Sequence, residues 1–241
     1  MTLAGTNTYV VGAEPAYVID PGPADERHLT AVREAAAAHG GLGGVLLTHS
    51  HADHSEAVPL LGAPLLWGRV SGEDESARTL DQGVAGPAPP PGRIGPFGVI
   101  PTPGHAPDHV AFAWDDACFC GDLVLGEGST IVPPGGGGLG AYLSSLERLR
   151  ERGFSLLCPG HGAWITDPDA KLAEYREHRL ERERKLLAAL GRGERSRERL
   201  LDAAWDDVPA ALRPAAGLAM DAHLDKLATE GRLPEDVDLG D

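Results

Sequence analysis

Four metal-ligating side chains crowd into six residues, His49-Ser50-His51-Ala52-Asp53-His54, directly after the apolar run Val45-Leu46-Leu47-Thr48. Imidazole mixed with carboxylate suits zinc, and also iron or manganese. A loop between a strand and a helix lets such close neighbours converge on one point. Three more candidates follow other apolar stretches: His105 in Thr102-Pro103-Gly104-His105, Asp122 in Cys120-Gly121-Asp122, and His161 in Pro159-Gly160-His161. A layered sheet can deliver all seven groups to one edge. A solvated loop with coincidental histidines leaves those three strand-end groups unexplained. No serine or cysteine stands in a nucleophile-elbow motif.

The elements that must carry these groups are short. Asn7 to Gly12 and Ala16 to Asp20 predict two strands, Ala24 to His39 a helix stopped by Gly40-Gly41, and Val45 to Thr48 a buried strand. Ser55 to Leu61 can open a helix, and Pro64 to Trp67 a strand. Gly83 to Gly95 is a proline- and glycine-rich loop. Strands resume at Phe97 to Thr102, Val110 to Trp114 and Ala117 to Cys120. Gly135 to Gly138 precedes a helix from Leu139 to Arg152, and it lacks the Lys and Ser/Thr of a phosphate-binding loop. Phe154 to Cys158 is the last strand. Alternation puts Cys118 and Cys120 on one face, buried and inert, and Cys158 suits strand-end packing better than ligation.

After Pro168 the chain changes character. Asp169 to Leu190 predicts a long charged helix with the stripe Leu172, Tyr175, Leu186, Leu187 and Leu190. Helical stretches at Ser196 to Trp205 and Pro214 to Glu230 follow. The expected division is residues 1–167, mixed α/β, and residues 168–241, helical.

The net charge is −15, which argues against a general nucleic-acid binder. The one clearly basic stretch, Lys171 to Arg199, holds 10 basic and 6 acidic residues. It reads either as a contact surface for RNA or as a solvated helix with Glu and Arg interleaved. No apolar run approaches the roughly 18–20 residues of a membrane span. The N-terminus shows no basic region followed by an apolar one, so the expected location is cytoplasmic.

The His49–His54 cluster, continued in order by His105, Asp122 and His161, resembles the hallmark pattern of the metallo-β-lactamase superfamily. The resemblance implies an α/β fold, a four-layer αββα sandwich with the site at one edge. It implies two divalent metal ions, zinc first and Mn2+ or Fe2+ otherwise. His49, His51 and His105 would hold one; Asp53, His54 and His161 the other; Asp122 would bridge. The implied chemistry is hydrolysis by a hydroxide bridging the two ions, with Asp122 and Asp53 as the catalytic carboxylates and Asp53 a candidate proton carrier. Asp20 matches an early aspartate that supports the site by hydrogen bonding.

Gly5-Thr6-Asn7-Thr8-Tyr9, Thr102 to His109 and Gly121 to Ser129 are similar to one branch, that of the lactamase-β-like endoribonuclease. The segments His178 to Leu187 and Ala222 to Leu227, with Glu230-Gly231-Arg232, resemble its small winged-helix-like C-terminal domain. The branch implies a small-molecule or RNA substrate. Cleavage of single-stranded RNA is one expectation, thioester or ester hydrolysis the alternative, and β-lactam hydrolysis a third. The branch also carries a strand ahead of Gly5, where this sequence has four residues; either the start is trimmed or one outer strand is absent. His109 is expected on the cleft wall, for substrate contact or strand packing. His28 and His39 are expected on a helix surface away from the site, and His178 and His223 to be structural or exposed.

Overall fold

Period-two alternation along short strands sets the layering. The computed structural model describes residues 5–72, 92–134 and 138–237. The first sheet runs β1 (Tyr9–Val11), β2 (Ala16–Ile19), β3 (Leu42–Leu46) and β4 (Leu65–Trp67), with β1 antiparallel to β2 and the rest parallel. The second runs β5 (Gly92–Ile94), β6 (Phe97–Pro101), β7 (Val110–Trp114), β8 (Ala117–Gly121) and β9 (Leu156–Pro159). Its first four strands form an antiparallel meander, and β9 joins β8 in parallel.

Ile19 and Leu46 face Phe97, Phe112 and Phe119 between the sheets, while their neighbours Val18 and Val45 turn to α1 (Glu26–Ala38). On the far side, Ala111, Cys118 and Cys120 meet Tyr142, Leu146 and Leu149 of α3 (Leu139–Arg150). The result is the expected αββα sandwich. The three cysteines are free and buried.

Two expectations shift. The helix expected from Ser55 begins earlier, as the single turn α2 (Ala52–Ser55), and resumes only as a 3-10 turn at Val58–Leu60. Pro59 has no N–H to continue an α-helix. Within the expected loop 83–95, Gly92–Ile94 pairs with β6 through a turn at Gly95, whose φ is +54°. Residues 83–91 of that loop, and 135–137 of the glycine loop, lie outside the described residues.

The C-terminal part is α4 (Pro168–Gly191), α5 (Arg197–Ala204) and α6 (Arg213–Thr229), with no strand among the described residues 168–237. Asp167 accepts from Ala170 N and caps α4, with Pro168 in its first turn. Leu172 and Tyr175 of α4 pack into the core against α3, whereas Leu186 and Leu190 build a separate core with α5 and α6. One helix thus belongs to both cores. No helix among the described residues is long and apolar enough to cross a membrane.

The basic stretch interleaves Arg with Glu, as one expectation had it, and also reaches carboxylates on later elements. Arg184 pairs with Glu177 and Glu181, Lys185 with Asp206, Arg195 with Asp236 and Arg197 with Asp221. Arg179 and Arg182 are buried.

Buried Glu183 stands between α4 and α6. His223 Nδ1 is 3.9 Å away; Lys226 Nζ, at 2.8 Å, and Arg232, at 3.1 Å, donate to it. His223 and Lys226 outweigh burial and pull its carboxyl down to about 2 from 4.5. A depressed carboxyl stabilises the fold fully above its unfolded pKa and loses that contribution as pH falls through the folded one. Chemical denaturation of wild type and Glu183→Gln should therefore differ by about 1–2 kcal/mol near pH 6, after allowing for screening at half-exposed Arg232. The gap should close between pH 4.5 and pH 2. An equal gap at pH 6 and pH 2.5 would contradict this.

Candidate metal centre

All seven predicted side chains meet at one edge, where β2, β3, β8 and β9 end. Three groups of side chains bring their ligand atoms within 4.8 Å of one another: His49, His51 and His105; His49, His54 and Asp122; Asp53, His54 and His161. In the first, His49 Nε2 and His105 Nε2 lie 2.9 and 3.0 Å from His51 Nδ1. In the third, His161 Nε2 is 3.3 Å from Asp53 Oδ2, and His54 Nε2 is 3.7 Å from the same oxygen. Asp122 reaches across, at 3.6 Å from His54, 3.7 Å from His105 and 3.3 Å from His161.

The outward nitrogens are tied down. His49 Nδ1 meets Thr48 Oγ1 at 3.1 Å, and His54 Nδ1 meets Asp20 Oδ2 at 2.9 Å. His105 Nδ1 lies 2.8 Å from Ile131 O, and His161 Nδ1 2.8 Å from Gly5 O. A carbonyl can only accept, so these last two rings carry a proton on Nδ1, and in its neutral form each turns an Nε2 lone pair inward. Asp20 also accepts from Thr48 N at 2.8 Å and Thr48 Oγ1 at 2.7 Å. It stands at the end of β2 with φ +50°, a conformation that aspartate tolerates.

The donor set fits cations. Buried His54 Nε2 and Asp122 Oδ1 have no hydrogen-bond partner. Each such atom costs about 1–3 kcal/mol unless something satisfies it. In the first group, two inward lone pairs face a third ring nitrogen, and one proton cannot serve both contacts. Chemistry divides the two ends further. Burial, with His54 and His109 nearby, holds His49 well below its usual range, and burial and His105 lower His51. These are neutral, ligand-ready imidazoles. At the other end, burial opposes charge on His54, but Asp20 and Asp122 outweigh it and raise it to about 10. Hydrogen bonds to Asp122 and Asp53 raise His161 to about 10. The hydrogen bond from His161 pulls Asp53 down to about 2. Burial of Asp122 is outweighed by His161 and His54, which hold it below the carboxylate range.

His109 is fully buried, so the cleft-wall expectation gives way to packing. Its Nδ1 bonds Thr102 Oγ1 at 2.8 Å, and its Nε2 accepts from Asp122 N at 3.2 Å. Burial lowers it to about 3. His223 is buried beside Trp205, and His28 bonds Thr8 Oγ1 and Pro21 O near the base of the site. Several contacts escaped the sequence reading. Asn7 Nδ2 donates to Pro159 O and Gly162 O, gripping the turn that carries His161. Thr6 Oγ1 donates to Asp53 Oδ2 at 3.3 Å. The Gly-Thr-Asn-Thr-Tyr motif signals such a role, but its partners lie up to 155 residues away. A cleft of about 440 Å³ opens beside His51 and Asp53, with Ser50, Arg69 and Ser71 on its walls.

This fold and this edge define a sandwich hydrolase-type centre, and a family model described as the metallo-beta-lactamase superfamily matches residues 1–65 and 66–161. The chain belongs to that superfamily. It is 36% identical over 200 residues to the atrochrysone carboxyl ACP thioesterase of Aspergillus chevalieri, covering 78% of this chain and 61% of the relative. To a beta-lactamase-like protein 2 homolog of Drosophila melanogaster it is 31% identical, covering 97% of this chain and 85% of the relative. The chain spans about three-fifths of the length of that thioesterase and of the lactamase-like protein adaB of Aspergillus niger. A solved structure of TTHA1623 in a di-iron-bound form is similar at 27% identity and TM-score 0.54, covering 73% of this chain and 96% of that one.

Proposed function

We propose that this chain is a metal-dependent hydrolase of acyl thioesters or related carboxylic esters, acting at a dinuclear centre. Asp122 carries the proposal: one buried carboxylate in reach of imidazoles from both ends, with an oxygen that no hydrogen bond satisfies. His49, His51 and His105 would hold one divalent cation, and Asp53, His54 and His161 the other, with Asp122 between. Zinc suits the donors first, with Mn2+ or Fe2+ next. The di-iron form of the solved relative supports iron as an occupant. When bound, the cations supply Lewis acidity toward a carbonyl and lower the pKa of water toward neutrality.

The chain's own residues do the rest. Thr6 and His161 orient Asp53, whose Oδ2 stands at the mouth of the cleft, placed to take or pass a proton. The outward hydrogen bonds of His49, His54, His105 and His161 fix each ring before anything binds. The described residues 168–237 act as a helical part docked on the catalytic part that precedes them.

Thioesters are favoured over RNA for two reasons. The thioesterase name of the fungal relative gives a precedent for acyl substrates. The basic helix that would grip a phosphate backbone spends most of its charges on carboxylates of the same chain. The test is one assay of metal-loaded protein on an acyl thioester, single-stranded RNA and a β-lactam. Thioester turnover that chelation abolishes is expected. Inert thioester, together with RNA cleavage that chelation abolishes, would overturn the substrate class in favour of the endoribonuclease and its winged-helix-like tail.

A further inference from the structure

Helix α4 presents Lys171, Tyr175 and Arg179 at intervals of four residues, which places them on one face. Lys171 Nζ sits 5.3 Å from the Tyr175 ring centre. Tyr175 OH donates to Gly128 O at 2.8 Å and accepts from Leu125 N at 3.1 Å. Arg179 is 4% exposed, and its Nη2 donates to Thr130 O at 2.5 Å and Ser129 Oγ at 3.1 Å. Its guanidinium lies 5.5 Å from the Tyr142 ring centre, and Tyr142 OH donates to Leu123 O. The hydrogen bonds of Tyr175, Arg179 and Tyr142 all hold the loop between Asp122 and Ile131.

That loop orients two of the candidate ligands. Thr130 Oγ1 donates to Asp122 O at 2.6 Å, and the next residue, Ile131, supplies the carbonyl that takes the His105 Nδ1 proton. A shift of the Thr130–Ile131 peptide would therefore turn the His105 ring and move Asp122 together. A buried guanidinium fork in contact with a backbone carbonyl is a rigid anchor, and lysine reproduces its charge but not its planar geometry.

We propose that Arg179, in the C-terminal helical part, is a positioning residue for the metal centre, setting His105 and Asp122 through the 128–131 backbone. The proposal rests on His105 and Asp122 being metal ligands. It makes the helical part a component of the site and not only an appendage.

Titration of metal-stripped protein with Co2+, followed by calorimetry and by the visible absorption band of the bound ion, tests it. Wild type should take up two Co2+. Arg179→Met should weaken the uptake that involves His105 by about tenfold to a hundredfold and alter the band. Arg179→Lys should recover part of the loss. Arg182→Met is the control, because Arg182 bonds Ala204 O and Asp207 instead. It should lower the melting temperature and leave the Co2+ titration unchanged. Should Arg179→Met not fold, Tyr175→Phe keeps the packed ring and removes only the hydroxyl contacts, and a smaller loss in the same direction is expected. A wild-type titration in Arg179→Met, or in Tyr175→Phe where that variant replaces it, would overturn the proposal and leave the metal centre standing. A wild-type chain that takes up no Co2+ would overturn both.

Discussion

Asp122→Ala is expected to lower kcat/KM by a factor of about 10³ or more, because it removes the carboxylate shared by both ends of the site. The fold should tolerate the change. The Asp122 backbone contacts, from Asp122 N to His109 and from Thr130 to Asp122 O, do not involve the side chain. His54 and His161 would lose the partner that favours their protonated forms, and His105 would lose its nearest carboxylate. Elemental analysis should find less than the full complement of metal. His51→Ala is the companion variant, since it removes one of three imidazoles from the other end. It should also abolish turnover while the chain stays folded, as His51 is exposed and supports no core. Circular dichroism and thermal melts separate lost chemistry from lost fold. Full activity in either variant would remove that residue from its proposed role.

Much of this site could be read from the chain. His49, His51, Asp53 and His54 are close in sequence, so a single loop after β3 suffices to gather them. His105, Asp122 and His161 each follow an apolar run, and alternation had already put those runs into sheets. Cys118 and Cys120 fell on one buried face for the same reason. What stayed hidden depends on distant pairs. Nothing local marks Asn7 as the clamp on residues 159–162, or Arg179 as the support of Thr130, because hydrogen bonds across 49 to 155 residues leave no periodic trace. The basic stretch was legible only in part, for a related reason. The interleaved pairs Lys171–Glu174 and Arg184–Glu181 are local, whereas Asp206, Asp207, Asp221 and Asp236, the partners of other charges, lie on later elements. The early end of the helix after Asp53 was legible in Pro59, yet helical propensity on either side masked it.

Gly160 brings the strand-end pattern to its narrowest point, and Gly160→Ala is expected to reduce turnover by about a hundredfold or more. A Cβ there would stand 2.3 Å from Asp122 Oδ1 and 2.7 Å from His54 Cε1. Both distances are far inside contact, so something must move. The backbone cannot easily withdraw. Gly160 N donates to Gly121 O at 2.8 Å, and Gly160 O accepts from Asn7 N at 2.7 Å, which pins the peptide from both sides. Gly121 is equally confined, at φ +48° with Thr48 Oγ1 2.5 Å from where its own Cβ would lie. The side chains must therefore yield, and those are Asp122 and His54, two of the seven converging groups. His54 is held from behind by Asp20, so the Asp122 carboxylate has the easier path and should swing off the line between the two ends. Overpacking of this kind costs about 1–3 kcal/mol of stability, enough to lower the melting temperature without unfolding the chain. The measurement that separates the two effects is metal content beside a thermal melt. A folded Gly160→Ala protein that has lost metal and activity together would place the damage in the centre. One that keeps its full metal and its full rate would mean that the space around Gly160 is less confined than its two clamped hydrogen bonds require.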